Sequence, residues 1–279
     1  MVASLFSGGE LMGKKRRQCP CRCKNRTQAS QKDAKNNIKE VYSKVAESKD
    51  GCAFGGKSCS CRAKVSQDIG YTKQELEQLA EANLGLGCGN PINLGDIKPG
   101  QTILDLGSGA GFDCFLAAKK VGTTGFVIGV DMTPSMIAKA TKNALLYGFE
   151  NVEFRLGDIQ DLPVEDNVID IIISNCVLSL AGSKERAFKE AYRVLKPGGV
   201  MYVSDIVLLE PLTDMQKCDK KLKGTCVLGA ILKSDYIAKV KSVGFEVRII
   251  GEDLEVNKKK FDDASLAISS LKYIAIKSH

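Results

Sequence analysis

The feature that most constrains this chain is an alternation of short apolar runs with amphipathic stretches between residues 102 and 208. Thr102 to Leu106 reads as a strand entering a glycine loop, and Phe112 to Val121 as the helix after it. Gly125 to Asp131 is a second strand, Pro134 to about Tyr147 a second helix, and Val152 to Leu156 a third strand. Val168 to Ser174 is nearly continuous Val and Ile, as expected of a central parallel strand covered on both faces. A helix from Lys184 to Val194 leads through Lys196-Pro197-Gly198-Gly199 into a strand from Val200 to Leu208. Alternation at these lengths predicts a doubly wound α/β sheet. Later, Tyr236 to Ser242 reads as a helix and Phe245 to Ile250 as a strand, and Tyr273 to Ile276 follows a charged connection as the final strand. A hairpin-like pair at this end makes the sheet mixed and leaves no material for a separate C-terminal domain.

Before the alternation, residues 1–33 read as a flexible, basic, cysteine-containing tail without a sustained period. Residues 34–98 read as a helical, thiol-bearing extension, and 99–279 as the core. In the extension, Ile38, Val41, Tyr42 and Val45 share one helical face. Thr72 with Glu75 three residues on forms a capping box for a helix carrying Leu76 and Leu79. The stretch from Leu84 to Pro91 is too rich in glycine for regular structure.

Composition narrows the function. The 279 residues are 44 % hydrophobic, enough for a sizeable core, yet no apolar run is long enough to span a membrane and no ordered signal peptide opens the chain. The net charge of +7 comes in clusters, at Lys14–Arg17, Lys217–Lys223 and Lys258–Lys260, without an aromatic-interleaved groove, so no nucleic-acid partner is expected. No coiled-coil pattern is present, and a monomer is the default. The single histidine, His279, excludes a buried histidine base or a histidine metal site. Eleven cysteines are present: Cys19, Cys21, Cys23, Cys52, Cys59, Cys61, Cys88, Cys114, Cys176, Cys218 and Cys226. A disulfide scaffold is normally small and loop-rich, so this long α/β pattern favours a reducing, cytoplasmic setting.

The loop Gly107-Ser108-Gly109-Ala110-Gly111 allows a tight turn and close approach of a ligand to backbone. Alone it would serve a nicotinamide, a flavin or S-adenosylmethionine, or be only a strand-to-helix turn. Acids at successive strand ends add to it. Asp131 is placed to accept ribose hydroxyls, Asp158 an adenine amino group, and Asp105 an ammonium group.

The segments Asp105–Gly111, Val130-Asp131-Met132, Gly157-Asp158-Ile159 and Arg193–Gly199 resemble class I S-adenosylmethionine-dependent methyltransferases. Within that class, Gly87-Cys88-Gly89-Asn90-Pro91 and Ile173-Ser174-Asn175-Cys176-Val177-Leu178 resemble arsenite methyltransferases, and matching motifs run from about residue 38 to 250. The resemblance implies a Rossmann-like, seven-stranded mixed sheet with an N-terminal cysteine-rich helical extension. It implies cofactor binding by Asp105, Gly107, Ser108, Gly109, Gly111, Asp131, Met132, Asp158, Ile159 and Asn175. Trivalent arsenic would be bound by Cys88, Cys176 and Cys226, with a further N-terminal cysteine, preferably Cys61 or Cys59 with Cys52 also a candidate, in the thiol chemistry.

The activity implied is methyl transfer from S-adenosyl-L-methionine to thiolate-bound trivalent arsenic, giving methylated arsenicals and S-adenosylhomocysteine. Its partners would be arsenite, methylated trivalent arsenicals, and thioredoxin or small-molecule thiols as external reductant. From the residues alone, a methyltransferase for a small organic acceptor, a non-catalytic arsenical or metal sensor, and a nicotinamide oxidoreductase stay open. Of the other thiols, Cys114 reads as core packing, Cys218 either as a solvated thiol or as one tuned by Lys217, and the CxC pairs at 19–23 and 59–61 as a soft-metal trap or surface.

Overall fold

The computed structural model describes residues 28–48 and 59–278. Seven strands form one sheet: β1 (Thr102–Leu106), β2 (Phe126–Asp131), β3 (Val152–Leu156), β4 (Ile169–Asn175), β5 (Leu195–Leu208), β6 (Phe245–Asp253) and β7 (Ile268–Lys277). Their order is β3-β2-β1-β4-β5-β7-β6. β1 to β5 run parallel, while β7 inserts antiparallel between β5 and β6. The expected mixed sheet is therefore present.

The alternation of side chains along the strands feeds two cores. On one face Leu104, Leu106, Val130, Ile172 and Val203 meet Phe188 of α6 (Lys184–Val194) and Tyr236 of α9 (Lys233–Ser242). On the other, Ile103, Val127, Ile171 and Ile173 meet Phe115 of α4 (Phe112–Val121). Tyr71 and Leu79 join this second core beside the short helix α3 (Lys73–Gln78), whose Thr72–Glu75 capping box forms as the sequence predicts. The crossover between β2 and β3 is α5 (Pro134–Tyr147).

Several boundaries differ from expectation for local reasons. The first helix, α1, spans Gln28–Glu47 and so begins inside the segment read as tail. Its early turns bring Ala34 and Lys35 to a cavity rather than to a core, so no apolar period marks them. Its end is anchored by Val45 and Ala46 against Leu84, Ala110 and Met136, with Tyr42 packed beside them. β5 begins at Leu195, taking the Lys196–Gly199 turn into the strand, with an irregular register opposite β4. The charged connection before β7 contains a helical turn, α10 (Val256–Phe261). The tail residues 1–27 lie outside the described residues.

This topology positions a site. The chain proceeds from β1 outward to β2 and β3, then returns to β4 on the other side of β1, making a switch point. Leu106 pairs with Ser174 there, so the glycine loop after β1 and the turn after β4 leave the sheet side by side. Gly107 has φ +72°, and a Cβ there would lie 2.4 Å from Val177 Cγ2. Glycine is thus required both by the backbone and by the packing of the Cys176-Val177 turn.

Gly107→Ala is expected to cost about 1–2 kcal/mol for the left-handed backbone and a further ~1–3 kcal/mol for overpacking. Gly148 has φ +71° and open space around it. Gly148→Ala should therefore show only the first cost in urea denaturation, and equal losses at the two positions would contradict the packing argument.

Candidate active site

Two connected cavities open over the carboxyl ends of β1, β2 and β4. The larger, about 890 Å³, is lined by Lys35, Tyr42, Asp131, Met132, Asp158 and Ile159 among others. The smaller, about 110 Å³, is lined by Tyr42, Asp105, Ser108, Asp113, Asn175 and Cys176 among others.

The acids at the strand ends have distinct surroundings. Asp131 accepts hydrogen bonds from the Gly109 N–H at 3.0 Å and the Thr133 N–H at 2.8 Å, fixing the glycine loop. Burial raises its pKa against the pull of those donors. Asp158 pairs with Lys35 of α1 and accepts the Gln160 N–H at 2.9 Å. Burial raises its pKa, but the Lys35 and Gln160 bonds outweigh this and hold it below the usual value. Asp105 is buried beside Asp113 and accepts from Cys114 Sγ at 3.2 Å. Burial and Asp113 push Asp105 well up. Asp113 rises to about 6, chiefly through burial, against hydrogen bonds from Tyr71 and Asn175.

Asn175 ends β4 and ties four segments together. Its Oδ1 accepts the Cys88 N–H at 2.9 Å. Its Nδ2 lies 2.9 Å from Tyr71 Oη, 2.8 Å from the Gly89 carbonyl and 3.1 Å from Asp113 Oδ2. The expectation placed Asn175 on the cofactor; it lines that cavity, but its amide is spent on holding the Cys88 loop. A Cβ at Gly87 would sit 2.7 Å from Asn175 Nδ2, so glycine before the cysteine allows the loop to close on the strand.

Three thiols from distant segments then meet. Cys88, Cys176 and Cys226 are buried in one cluster with Ile206, Leu222, Val227 and Val256. The Cys88 carbonyl accepts from Ser270 Oγ of β7 at 2.6 Å, and its Sγ lies 3.4 Å from the Ser204 carbonyl of β5. Cys176 has φ +63°, a left-handed conformation that is uncommon without glycine, and its N–H donates to the Ser204 carbonyl at 2.8 Å. Cys226 opens α8 (Cys226–Gly229).

Their electrostatics are unequal. Hydrogen bonds from Cys226 and then Cys88 draw Cys176 well below the usual thiol value, against burial and with help from Lys260. Cys88 is raised by burial and by its bond to Cys176. Cys226 is raised by its bond to Cys176 and then by burial. Of the three sulfurs, Cys176 is the one whose deprotonated form is best supported by its surroundings. Among the described residues, no three His, Cys, Asp or Glu are spaced to hold a metal ion.

The other cysteines lie apart. Cys114 is fully buried in the second core. Cys218 ends α7 (Asp214–Cys218) and is disulfide-bonded, while Lys217 pairs with Asp214 at 3.3 Å. Cys59 and Cys61 are in α2 (Cys59–Asp68), but their side chains, like Cys52 and the cysteines at 19, 21 and 23, lie outside the described residues.

Residues 97–260 match the family described as Methyltransferase domain. An arsenite methyltransferase of Halobacterium salinarum is 44 % identical over 80 % of this chain and 60 % of its own length. That of Aquipseudomonas alcaligenes is 39 % identical over 65 % of this chain and 53 % of its own. The chain thus spans between half and three-fifths of these curated relatives. The crystal structure of an arsenic(III) S-adenosylmethionine methyltransferase from Chlamydomonas reinhardtii superposes with a TM-score of 0.60 and 32 % identity, covering 78 % of this chain and 74 % of that one. The chain belongs to the arsenite methyltransferase family.

The fold of this family binds S-adenosylmethionine, and the residues present suit that cofactor. The buried Ser108 Oγ has no hydrogen-bond partner among the described residues and lines the smaller cavity. Asp105 and Asp113 there offer carboxyl oxygens to an ammonium group, and Asp131 offers its own at the end of β2. Asp113, Tyr42, Lys35 and Lys260 escaped the sequence reading. Asp113 carried a usable signal, an acid in the first helical turn after a glycine loop.

Because Asp113 titrates near 6, a cationic cofactor should displace its proton on binding below that pH. Calorimetry should show S-adenosylmethionine affinity falling by about tenfold between pH 7 and pH 5. Asp113→Asn should be weaker at pH 7 and nearly flat over that range, and an unchanged slope would rule Asp113 out.

Proposed function

We propose that this protein transfers methyl groups from S-adenosylmethionine to trivalent arsenic bound by Cys88, Cys176 and Cys226, giving methylated arsenicals and S-adenosylhomocysteine. The observation that carries this reading is the meeting of those three thiols in one buried cluster beside the cofactor cavity. Arsenite is neutral near pH 7 and carries hydroxyl groups that soft sulfur replaces. Each thiol exchanges with one hydroxyl, so S–H and As–OH become As–S and water. The Cys176 thiolate begins the exchange, and the other two sulfurs must then draw closer around the arsenic.

Three sulfurs leave the arsenic lone pair free as nucleophile. S-adenosylmethionine, held by the glycine loop, Asp131, Met132, Asp158 and Ile159, supplies an electrophilic sulfonium methyl. No histidine base is needed. The residues orient the reactants, and Tyr42 covers the junction of the two cavities. Its hydroxyl is kept protonated by burial and by Cys226, Cys176, Asp131 and Asp205.

Methyl transfer makes arsenic formally pentavalent. Return to the trivalent state oxidises a cysteine pair, and an external thiol reductant, thioredoxin or a small thiol, resets it. Cys61 or Cys59, with Cys52 a further candidate, is the N-terminal thiol of this exchange, within an extension over 34–98 that precedes the 99–279 core. A monomer in a reducing cytoplasm suits this chemistry. No helix among the described residues is long and apolar enough to cross a membrane.

The test is mass spectrometry of arsenic species after incubation with labelled S-adenosylmethionine, arsenite and a thiol reductant. Wild type should give labelled methylarsenicals. Cys88→Ser, Cys176→Ser and Cys226→Ser should each lower the yield by about a hundredfold or more while retaining cofactor binding. Labelled product on an organic acceptor, or full activity in all three variants, would overturn the assignment.

A further inference from the structure

Lys260 is the third of three consecutive lysines in α10, and it behaves unlike the other two. Lys258 pairs with Glu255 at 2.8 Å and Lys259 with Asp253 at 2.9 Å. Lys260 has no carboxylate partner among the described residues and turns inward. Its Nζ donates to the Leu86 carbonyl at 2.6 Å and lies 3.5 Å from Cys176 Sγ. The helical turn is pinned there, because Val256 and Phe261 pack into the thiol cluster and Asn257 Nδ2 donates to the Leu266 carbonyl at 3.0 Å.

An ammonium group removed from water without a carboxylate is costly unless its donors find acceptors. It has three N–H donors. One goes to Leu86, on the loop carrying Cys88, and one to the Cys176 sulfur. Lys260 thus sets an amine among the thiols with two of its donors engaged. When the Cys176 lone pair turns to arsenic, its hydrogen bond from Lys260 is lost, and that donor is left beside the atoms bonded to arsenic. The oxygen of an As–OH group is the acceptor the chemistry brings there.

We propose that Lys260 is the catalytic donor to the oxygen leaving trivalent arsenic. This rests on the three-thiol assignment above. In the step, the Cys176 sulfur forms an As–S bond while an As–O bond breaks with its electron pair on oxygen. The proton of the incoming cysteine ends on that oxygen as water, or, for Cys176 already ionised, a proton from solvent does so. Arsenic remains trivalent. Lys260 stays an ammonium group throughout, contributing charge and a hydrogen bond to the departing oxygen.

A supporting role in thiolate formation would affect every arsenic donor alike; donation to a departing oxygen affects only donors that lose oxygen. Rapid-quench mass spectrometry of protein-bound arsenic separates the two, with a phosphine reductant in place of thiols. The arsenic is supplied as arsenite or as its tris-thiolate with a small-molecule thiol. Lys260→Met should slow uptake from arsenite by about thirtyfold or more and from the tris-thiolate by less than about threefold. Lys260→Arg, which keeps charge and donors, should recover most of the arsenite rate. Equal slowing of both donors, or no slowing with arsenite, overturns the proposal. If Lys260→Met does not fold, as judged by S-adenosylmethionine binding, Lys260→Gln provides the same ratio. If wild type takes up no arsenic from either donor, or takes it up unchanged in Cys176→Ser, the three-thiol assignment fails first. As–S formation in wild type with a normal Lys260→Met ratio removes only the role of Lys260.

Discussion

The carboxamide of Asn175 is the interaction on which both halves of the site depend. Its oxygen holds the Cys88 N–H, while its nitrogen reaches the Gly89 carbonyl, the Tyr71 hydroxyl and Asp113. On one side these contacts place a thiol; on the other they orient an acid facing the cofactor cavity. Asn175 sits at the switch point, where β1 and β4 diverge, so the sheet topology fixes the amide and the amide fixes the loops. The adjacent Cys176 departs in a left-handed turn, and Gly107 makes room for the residue after it.

Charge is arranged around this hinge in two zones. Asp105, Asp113 and Asp131 line the cofactor side, and Asp131 holds the glycine loop. The thiol side gathers Cys88, Cys176 and Cys226, with the amine of Lys260 3.5 Å from Cys176. Asp205 lies beneath the thiols, accepting from the Ser179 N–H at 2.7 Å and from the Tyr236 hydroxyl at 3.0 Å. Burial, and then Cys176, raise it to about 7. These bonds brace the segment that follows Cys176, so strand-end acids serve as struts as well as ligands.

Much of this was legible in the chain. The strand pattern from Thr102 to Leu208 revealed the parallel sheet because buried strands need continuous apolar residues. The Thr72–Glu75 pair marked its helix because capping chemistry is local. The Gly-Cys-Gly and Asn-Cys motifs pointed to the thiols through family resemblance, but their meeting depends on contacts between distant segments. Lys260 carried no sign of its role, since three adjacent lysines look like solvated surface and only the fold turns one inward. The early turns of α1 were hidden for a related reason: a helix lying over a cavity needs no apolar stripe. The bracing bonds of Asn175 were not legible because neighbours in sequence do not show which partners an amide will meet.

The hydrogen bond from Ser270 to the Cys88 carbonyl crosses from β7 to a loop that precedes the whole sheet. β7 must therefore be seated between β5 and β6 before the Cys88 loop is fully held. During synthesis, a chain that has left the ribosome only as far as α9 carries Cys88, Cys176 and Cys226 but lacks that brace and Lys260. Its thiols are available to soft ions one at a time, and the concerted pocket arises only when β7 has folded in. The connectivity thus leaves a nascent chain with three separate thiols, and ties their meeting to completion of the sheet.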